Sequence, residues 1–470
     1  MQLKNKLNNP IFNIVKSVSD ELDINCYVVG GWVRDLLLKR KRNKTDIDFV
    51  CLGSGVIFAE KVFEKLNGGS FKVFKRFGTA MINYKNEDYE FVGARKESYR
   101  TNSRKPIVED GTLEDDQNRR DFTINCLAIQ LDKKNFGNLI DPFNGLIDLK
   151  NKIIKTPLDP DKTFSDDPLR MLRAIRFANE LNFTIANESL ESISKNYKRL
   201  NIISKERITY ELNKIISTNK PSTGFKLLFK TNLLNQFFPQ MVELCGVETI
   251  NNYSHKDNFY HTLEVLDNIS KNTDNIWLRW AAILHDIGKP KTKRFDEKIG
   301  WTFHGHEFIG SKMVPTIFKM LKLPLNEKMR YVQKLVRLHL RPIVLAQDIV
   351  TDSAIRRLLF DAGEDIEDLM TLCDADITSK NLKKRKLYLN NFKLVRKKLI
   401  DLEERDNIRN MKIAMSGEDI MKVFNLKPGK IIGILKSSIK DAILDGKINN
   451  TKEETLDYLL KEAEKYKHLM

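Results

Sequence analysis

Two aspartates separated by a single residue stand at the head of an apolar run near the start of the chain. Asp46 and Asp48 lie in TDIDFVCL, residues 45–52, where β-branched and aromatic residues predict a strand. Residues i and i+2 of a strand face the same side, so both carboxylates would lie close together and repel unless a cation holds them. Oxygen ligands in this arrangement suit Mg²⁺. Two solvated acids at an exposed strand end are the alternative, and the neighbouring residues decide between the interpretations.

A candidate phosphate cradle precedes the two acids. In VVGGWVRDLLL, residues 28–38, a predicted strand runs into Gly30 and Gly31 and then into an apolar helix that carries Arg34. Glycines let the backbone approach a ligand closely, a helix N-terminus offers free N–H groups, and a guanidinium fork suits phosphate oxygens. A plain Gly-Gly turn is the alternative. Together with the same-face acids, the cradle favours nucleotidyl transfer, in which metal ions bridge a triphosphate and an attacking hydroxyl.

Size and charge restrict the class of protein. The chain has 470 residues, more than one core normally accommodates, and its 80 Lys and Arg against 63 Asp and Glu leave a formal charge of +17. This balance favours a polyanionic partner, nucleic acid first, although a composition rich in Lys and Asn also fits an A/T-rich genome. The five scattered cysteines argue against a disulfide framework or a structural zinc. Without a membrane-length apolar run or a signal-peptide pattern, we expect a cytoplasmic protein with no membrane partner.

The secondary-structure pattern changes about one third of the way along the chain. Residues 26–31, 46–52, 71–76, 79–84 and 89–94 read as strands and residues 55–69 as a helix, whereas helical patterns dominate from about 156 onward. We therefore expect an α/β head followed by a long helical remainder, with joints near 150–165, 218–224 and 380–410.

Five stretches in order carry a family resemblance. GGWVRDLLL with TDIDFV resembles the nucleotidyltransferase superfamily and, more narrowly, the class II tRNA nucleotidyltransferase (CCA-adding) and bacterial poly(A) polymerase family. The other stretches that are similar to this family's motifs span residues 111–129, 141–156, 164–183 and 204–216. The resemblance implies an α/β nucleotidyltransferase head with a small mixed sheet over residues 1–155. A helical neck and RNA- and nucleotide-binding domain would follow over 156–240.

The resemblance also assigns roles to individual residues. It implies that Asp46 and Asp48 are catalytic and hold Mg²⁺, and that Gly30, Gly31 and Arg34 cradle phosphates. The remaining implied nucleotide contacts are Arg120, Asp121, Asn125, Asp167, Arg170, Arg173 and Arg176. In the family an acid and an arginine three residues apart pair with the edge of the incoming base.

Those two positions fall here on Asp167 and Arg170, and the residues themselves leave alternatives open. Asp167 followed by Pro168 predicts a helix start with the aspartate as N-cap. Arg170, Arg173 and Arg176 form a stripe that is either solvated or faces an anion.

Two further features of the head bear on its function. Glu90 is the candidate for a third strand acid, with a single exposed acid beside a turn as the alternative. Residues 95–118 are long, polar and charged, and a structureless segment of that length is usually functional or mobile. The family has a flexible loop here that helps the switch from C to A addition, and its full length argues against an enzyme that adds only CC.

A second set of candidate ligands lies in the helical remainder. Six of the seven histidines fall between 255 and 339, and one of them forms a His-Asp pair. A lone helical histidine is usually an ordinary residue, but imidazole clustered with carboxylate suits borderline and hard metals. The set that resembles the HDIG branch of the HD phosphohydrolase superfamily is His261, His285, Asp286, His306, His339 and Asp376. Asp376 fits that pattern better than Asp374, while His255 and His304 have no counterpart in it.

The resemblance implies an all-α HD domain over residues 241–385 that binds Ni, Mn, Co or Mg and hydrolyses phosphoesters with metal-activated water. A helical tail over 386–470 would form part of a tRNA-holding surface, with Pro428-Gly429 as a phosphate contact or a plain helix–helix turn. The implied activity is addition of CCA to the 3′ end of tRNA from CTP and ATP, by a monomer or homodimer. The alternatives are a poly(A) polymerase, an enzyme adding only CC or only A, and a phosphohydrolase with an RNA-binding head.

Overall fold

The computed structural model describes residues 1–40, 46–74, 78–100, 103–251, 253–345, 351–378, 381–409 and 411–465. The chain divides into two compact units, Met1–Pro239 and Gln240–Met470. The finer predicted boundaries inside these units stay predictions. Within the described ranges, no helix is both long and apolar enough to cross a membrane.

A mixed β-sheet organises the first unit. The described strands of this unit are β1 (Cys26–Val29), β2 (Asp46–Cys51), β3 (Ser70–Phe74), β4 (Thr79–Tyr84), β5 (Glu87–Gly93), β6 (Arg95–Arg100), β7 (Ser103–Asp110), β8 (Ala128–Gln130), β9 (Leu139–Ile140), β10 (Ile153–Ile154) and β11 (Thr184–Ile185). Seven of these described strands form one sheet in the order β3-β4-β5-β2-β1-β8-β9. Neighbours in it are antiparallel except for β2 and β5, which run parallel. The strand that carries the paired aspartates is therefore central.

The helices that accompany this sheet, and the helical stretch that follows it, are α1 (Ile11–Leu22), α2 (Gly31–Leu37), α3 (Gly55–Leu66), α4 (Leu113–Asn118), α5 (Gly145–Asn151), α6 (Pro160–Asp166), α7 (Leu169–Leu181), α8 (Asn187–Asn196), α9 (Lys205–Ile216), α10 (Pro221–Lys230), α11 (Leu233–Phe237) and α12 (Pro239–Val242). Short 3₁₀ helices lie at Lys4–Lys6, Thr123–Asn125 and Tyr197–Ile202.

An aromatic core determines which face of β2 the acids occupy. Phe49 stacks on Phe91 of β5 with ring centroids 4.7 Å apart, and Phe12 of α1 and Phe58 of α3 complete this cluster. All four rings are fully buried. Because successive residues of a strand face opposite sides, burying Phe49 in this core turns Asp48 to the other face of the sheet.

The second unit is mainly helical. Its described elements are β12 (Thr249–Ile250), β13 (Tyr253–Ser254), α13 (Asn258–Ser270), α14 (Ile276–Leu284), α15 (Lys289–Thr292), β14 (Arg294–Asp296), β15 (Gly300–Thr302), α16 (His306–Met320), α17 (Glu327–Leu338), α18 (Leu340–Leu345), α19 (Asp352–Ala362), α20 (Ile366–Asp376), α21 (Leu382–Asp406), α22 (Gly417–Phe424), α23 (Lys430–Leu444) and α24 (Lys452–Ala463), with a 3₁₀ helix at Gly363–Asp365. Helices α22 to α24 bury an apolar cluster of their own.

The predicted α/β head with a helical remainder is confirmed, but the prediction for residues 95–118 is wrong in its described part. Strands β6 and β7 pair antiparallel there, and α4 follows with a capping box between Thr112 and Asp115. Residues 101 and 102 lie outside the described part. Charged residues hide the strand pattern, since a hairpin needs only its backbone groups to pair. The helical remainder beyond residue 156 also contains the short strands β11 to β15, which the sequence pattern did not predict. Each has only two or three residues, too few to show a period of two.

Candidate functional sites

Three acidic residues share one face of the central sheet. In the parallel pair of β2 and β5, Asp48 is the register partner of Glu90 and Asp46 that of Asp88. Paired residues project to the same face, which places Glu90 beside the two aspartates. Burial first, and then the charges of Asp48 and Asp46, raise the pKa of Glu90. Such a cluster of oxygen ligands fits a hard divalent cation, because a cation relieves the repulsion among its carboxylates.

Gly30 borders this carboxylate cluster at a position that only glycine tolerates. Its φ of 73° and ψ of −138° lie in a region closed to residues with a side chain. A Cβ at this position would lie 3.1 Å from Nη1 of Arg120 and 3.4 Å from Oδ2 of Asp48. Gly31 follows as the first residue of α2. The glycine turn therefore keeps the backbone close to both the acid and the guanidinium.

The Gly30→Ala variant tests this close approach. We expect it to lower stability by about 1–3 kcal/mol because of backbone strain. We also expect nucleotide addition to slow by tenfold or more, since displacement of the acid by about 1 Å misaligns the reacting groups. Gly433→Ala is the matched control, because this helical glycine has no atom within 4 Å of its added Cβ. Thermal unfolding and single-turnover addition rates provide the measurements, and an unchanged rate in Gly30→Ala would contradict the assignment.

Buried polar residues form a continuous network beneath the site. Arg34 is 1% exposed, and its Nη1 donates to Oδ1 of Asn125 at 2.8 Å. Nδ2 of Asn125 donates to Oδ1 of Asp121 at 3.0 Å, and Oδ2 of Asp121 lies 2.6 Å from Nη2 of Arg173. Three stretches of sequence thus meet through side chains that the motifs singled out. Arg34 is enclosed, and it holds Asn125 in place.

Charge pairing controls the ionisation of Asp121. Burial alone would raise the pKa of this carboxyl, but Arg173 and the Asn125 amide lower it to about 2. A depressed pKa stabilises the fold above the carboxyl's unfolded pKa of about 3.9, and this stabilisation is lost as the pH falls through about 2. The shift corresponds to about 2–3 kcal/mol at neutral pH.

We therefore expect Asp121→Asn to melt about 5 °C lower than the native protein at pH 7. The difference should narrow below pH 4, where the native carboxylate begins to lose its advantage. Calorimetric melting of both proteins between pH 2 and pH 7 measures this change. A difference in melting temperature that does not vary with pH would assign the effect to packing and not to charge.

Phe177 joins three arginines at the end of this network. The guanidinium carbons of Arg34, Arg173 and Arg176 lie 4.9, 5.3 and 4.0 Å from its ring centroid. Nε of Arg176 also lies 3.3 Å from Oε2 of Glu211 on α9. Arg176 is 5% exposed, so the predicted arginine stripe is solvated only in part. Cations over an aromatic face are attracted to it, which keeps the three side chains together.

The predicted base-selecting pair is close to the start of α7. The helix begins at Leu169 with Pro168 as its N-cap, so the prediction of Asp167 as N-cap is one residue off. Oδ1 of Asp167 nevertheless accepts from the Leu169 N–H at 3.2 Å, which is the bond a cap makes. Proline lacks a side-chain acceptor, and the preceding aspartate supplies one.

Arg170 is held by backbone carbonyls in this structure. Its Nη1 donates to the Thr163 carbonyl at 3.3 Å and its Nη2 to that of Arg119. Arg207 of α9 approaches the other member of the pair, with Nη2 3.8 Å from Oδ2 of Asp167. A guanidinium has five N–H donors, so Arg170 keeps donors beyond the two bonds made here.

Five elements of the second unit bring the predicted histidines and aspartates together. Nε2 of His261 lies 2.9 Å from Oδ1 of Asp376, and Nε2 of His285 lies 3.3 Å from Oδ2 of Asp286. Nε2 of His306 lies 3.2 Å from Oδ1 of Asp286. His339 completes the cluster, with its Nε2 3.4 Å from that of His306.

Backbone carbonyls orient three of the four rings. Nδ1 of His285, His306 and His339 each lies 2.8 Å from a carbonyl oxygen three residues earlier in the chain. Nδ1 of His261 lies 3.0 Å from Oγ1 of Thr378. A carbonyl accepts only from an N–H, so in the neutral rings Nε2 carries the lone pair that a metal needs.

The cluster offers two ligand groups that share Asp286. One is His261, His285 and Asp286, and the other is Asp286, His306 and His339. Burial would raise the pKa of Asp286, but His285 and Lys289 hold it well below its usual range. Nε2 of His285 is buried and lies 3.3 Å from Oδ2 of Asp286 and 3.5 Å from Oδ1 of Asp376, too poorly aligned for a regular hydrogen bond. This donor set fits a divalent cation of the borderline class.

The other residues considered near the HD cluster differ in whether they contact it. Nζ of Lys289 lies 2.6 Å from Oδ2 of Asp286, so it neutralises the shared carboxylate. Asp374 pairs with Arg396 and makes no ion pair with the histidines among the described residues. His304 is exposed, and His255 packs edge-on against Trp301.

Comparisons with known proteins agree with this architecture. Residues 26–155 match a family model described as poly A polymerase head domain, and residues 182–245 match one described as probable RNA and SrmB-binding site of polymerase A. Residues 258–381 match the HD domain. The multifunctional CCA protein of Shewanella frigidimarina is 34% identical over 301 residues, which cover 63% of this chain and 68% of that protein. The chain belongs to the class II tRNA nucleotidyltransferase and poly(A) polymerase family, with an HD domain.

Other members of this nucleotidyltransferase family are also similar. The A-adding tRNA nucleotidyltransferase of Deinococcus radiodurans is 29% identical over 350 residues, covering 73% of this chain and 77% of that protein. The solved structure of the Bacillus stearothermophilus CCA-adding enzyme in complex with CTP matches with a TM-score of 0.65 at 22% identity. That match covers 98% of this chain and 100% of the other. The two proteins share a fold.

Two residues of this nucleotidyltransferase site escape the motif analysis, namely Phe177 and Glu211. A signal for Glu211 is present in the sequence, because it lies three residues after Ile208 and four before Ile215, on the apolar face of α9. In the structure it is 2% exposed. A carboxylate on a buried helix face requires a cation, and Arg176 meets that need. Phe177 reads only as an ordinary core residue until its neighbours are known.

The predicted phosphate contact at Pro428-Gly429 lies on an exposed connection between α22 and α23. Its role in holding tRNA stays a prediction.

Proposed function

We propose that this protein adds CCA to the 3′ end of tRNA from CTP and ATP without a nucleic-acid template. The observation that carries the proposal is the group of Asp46, Asp48 and Glu90 beside the Gly30 turn and Arg120. The similarity to the multifunctional CCA protein and the A-adding nucleotidyltransferase supports the choice of substrate. A tRNA substrate would place the protein in the cytoplasm.

The reaction joins the terminal 3′-oxygen of tRNA to the α-phosphorus of the incoming nucleotide. The bond from that phosphorus to the bridging oxygen breaks, and pyrophosphate leaves. Asp46 and Asp48 would hold Mg²⁺, which when bound lowers the pKa of the 3′-hydroxyl and neutralises the triphosphate. The Gly30 turn leaves room for the phosphates beside Arg120.

Asp121, which accepts a hydrogen bond from Asn125, orients Arg173, and the Arg173 side chain is 32% exposed and so accessible to a substrate. Asp167 and Arg170 would read the base, because a carboxylate acceptor with guanidinium donors matches the edge of cytosine or adenine and mismatches guanine or uracil. Protein groups thereby take the place of a template. This role requires Arg170 to use donors beyond those bound to Thr163 and Arg119.

A single assay tests the proposal. The protein is incubated with tRNA transcripts that end before CCA, with CTP, ATP or both, and the added tails are sequenced. A CCA tail from the mixture of CTP and ATP is the expected result. Repeated adenylates would identify a poly(A) polymerase, and the absence of any addition would refute both assignments.

Addition of A alone is the second candidate, because the A-adding relative matches 73% of this chain, more than the 63% that the multifunctional CCA protein matches. It predicts no extension of a transcript that ends before CCA when CTP is supplied. It also predicts extension by one adenylate of a transcript that already ends in CC. The same sequencing assay separates the two activities.

We also propose that the HD domain hydrolyses phosphoesters. His261, His285, Asp286, His306, His339 and Asp376 would hold Ni, Mn, Co or Mg, which when bound activates water for attack on phosphorus. Lys289 pairs with the shared aspartate and lines the cavity at the cluster, where it would contact a phosphate oxygen. Elemental analysis of the purified protein identifies the metal, and light scattering distinguishes a monomer from a homodimer.

A further inference from the structure

Asp116 of α4 is a buried carboxylate that pairs with two consecutive arginines of the first unit. Its Oδ2 lies 3.0 Å from Nε and 2.8 Å from Nη2 of Arg120, and its Oδ1 pairs with Nη2 of Arg119. Burial raises the pKa of the Asp116 carboxyl, and Arg120 and Arg119 bring that pKa below its ordinary value. Because a buried charge is costly unless it is paired, Asp116 and the two guanidinium groups hold one another in place.

One edge of the Arg120 guanidinium is committed to Asp116, and the other lies at the Gly30 turn. Nη1 of Arg120 is 3.1 Å from the position that a Cβ on Gly30 would take, and Oδ2 of Asp48 is 3.4 Å from the same position. Nη1 also donates to the Asn125 carbonyl at 3.5 Å, which leaves its second N–H unused among the described residues. Asp116 therefore sets where the Arg120 charge lies relative to the acids of the sheet.

Arg119 gives Asp116 a second cation that does not depend on Arg120. The Arg119 carbonyl accepts a hydrogen bond from Nη2 of Arg170, so Arg119 is fixed through both its side chain and its backbone. A buried carboxylate that keeps one partner is not left as an uncompensated charge when the other partner is replaced. Asp116 and Arg120 can therefore be changed separately as well as together.

We propose that Asp116 is a positioning residue for nucleotide addition. It holds the Arg120 guanidinium beside Asp46 and Asp48, where this cation meets the triphosphate of the incoming nucleotide. Asp116 touches no substrate itself, since its side chain is 0% exposed. This inference rests on the proposed nucleotide addition. Asp116 is the last of three successive acids in the 111–129 stretch, and only its burial against the arginines distinguishes it from the other two.

The test measures single-turnover extension of tRNA by the full-length protein with Asp116→Asn, Arg120→Gln and the combination of both. We expect Asp116→Asn to slow addition by about 10- to 100-fold, because a displacement of about 1 Å in a group that contacts substrate can cost about 100-fold. Adding Asp116→Asn to Arg120→Gln should slow addition by less than about twofold more, since the carboxylate acts through that guanidinium. The KM for the nucleotide should rise in Asp116→Asn, and the KM for tRNA should stay within about twofold of the native value.

Asp115→Asn is the matched control, because it makes the same chemical change at the preceding residue. The Asp115 carboxylate accepts from the N–H and Oγ1 of Thr112 in the helix cap and makes no ion pair among the described residues. We expect this variant to lose part of the stabilisation of the cap and to add nucleotide within about twofold of the native rate. Thermal unfolding checks that each variant is folded. If Asp116→Asn does not fold, Asp116→Glu replaces it in the comparison, since glutamate keeps the charge and moves it by one methylene.

Three results would overturn the inference and leave the proposed activity intact. They are a native addition rate in the Asp116 variant, a tRNA KM that rises as much as the nucleotide KM, and losses that multiply when the Asp116 and Arg120 changes are combined. Multiplying losses would assign Asp116 to the stability of the fold alone. Failure of the native protein to add any nucleotide would refute the proposed function, and the inference with it.

Discussion

Replacing Asp48 with asparagine is expected to slow nucleotide addition by about 10³-fold or more. The change removes one charge from the face of the sheet that also carries Asp46 and Glu90 and preserves the shape of the side chain. A divalent cation held there supplies several kcal/mol of charge stabilisation in the transition state, and each 1.36 kcal/mol corresponds to a factor of ten in rate. Single-turnover extension of tRNA with saturating CTP and ATP measures the loss.

Asp23→Asn is the control for this variant. Asp23 is an exposed residue of the same unit with a φ of 53°, a conformation that asparagine also tolerates. We expect this control to extend tRNA at the native rate and both variants to melt normally. Asp48→Asn should also retain any phosphoester hydrolysis, since the candidate site for hydrolysis lies in the second unit. An Asp48→Asn protein with native addition rates would show that the sheet acids are not the catalytic group.

The second large effect is expected from Asp286→Asn. Asp286 belongs to both ligand groups of the HD cluster, so its loss weakens both at once. We expect bound metal to fall below the level detected in the native protein. Phosphoester hydrolysis should fall by more than about 100-fold, since even the loss of a residue that only orients a metal ligand lowers metal affinity or activity by about 10–100-fold. Treatment of the native protein with a chelator should produce the same loss, and added metal should restore it only in the native protein.

Asp374→Asn provides the matched control in this domain. It makes the same chemical change two residues from Asp376, but its carboxylate faces Arg396. We expect it to keep its metal. The rate of tRNA extension by Asp286→Asn should stay within twofold of the native rate, which also shows that the protein is folded. Full metal content in Asp286→Asn would contradict the assigned cluster.

Local patterns in the sequence were sufficient to predict the sheet-and-helix head, the helical remainder and the family. The alternation of Asp46 and Asp48 with Ile47 and Phe49 places acids and core residues on opposite faces, and a period of two requires nothing beyond the strand itself. The helix pattern of α7 likewise separates Arg170 from the buried Leu172. Such signals are local because each depends on the geometry of one element.

The hairpin of β6 and β7 was missed for the opposite reason. Its two strands pair through backbone groups, and the amino-acid sequence of neither charged segment shows the apolar alternation that predicts a strand. The predicted N-cap of α7 differs from the observed one by a single residue, because the Asp167 side chain caps the helix from the position before its N-cap.

Local periodicity was enough to predict which residue types this protein brings to chemistry, and on which face of each strand or helix they lie. Which of these residues meet depends on how the strands and helices pack. The parallel register of β2 and β5 places Glu90 beside Asp48, packing of α9 on α7 brings Glu211 to Arg176, and the fold of the second unit brings Asp376 to His261. These contacts join residues far apart in the chain, so they depend on how whole elements pack. The periodicity of one element contains no information about its partner.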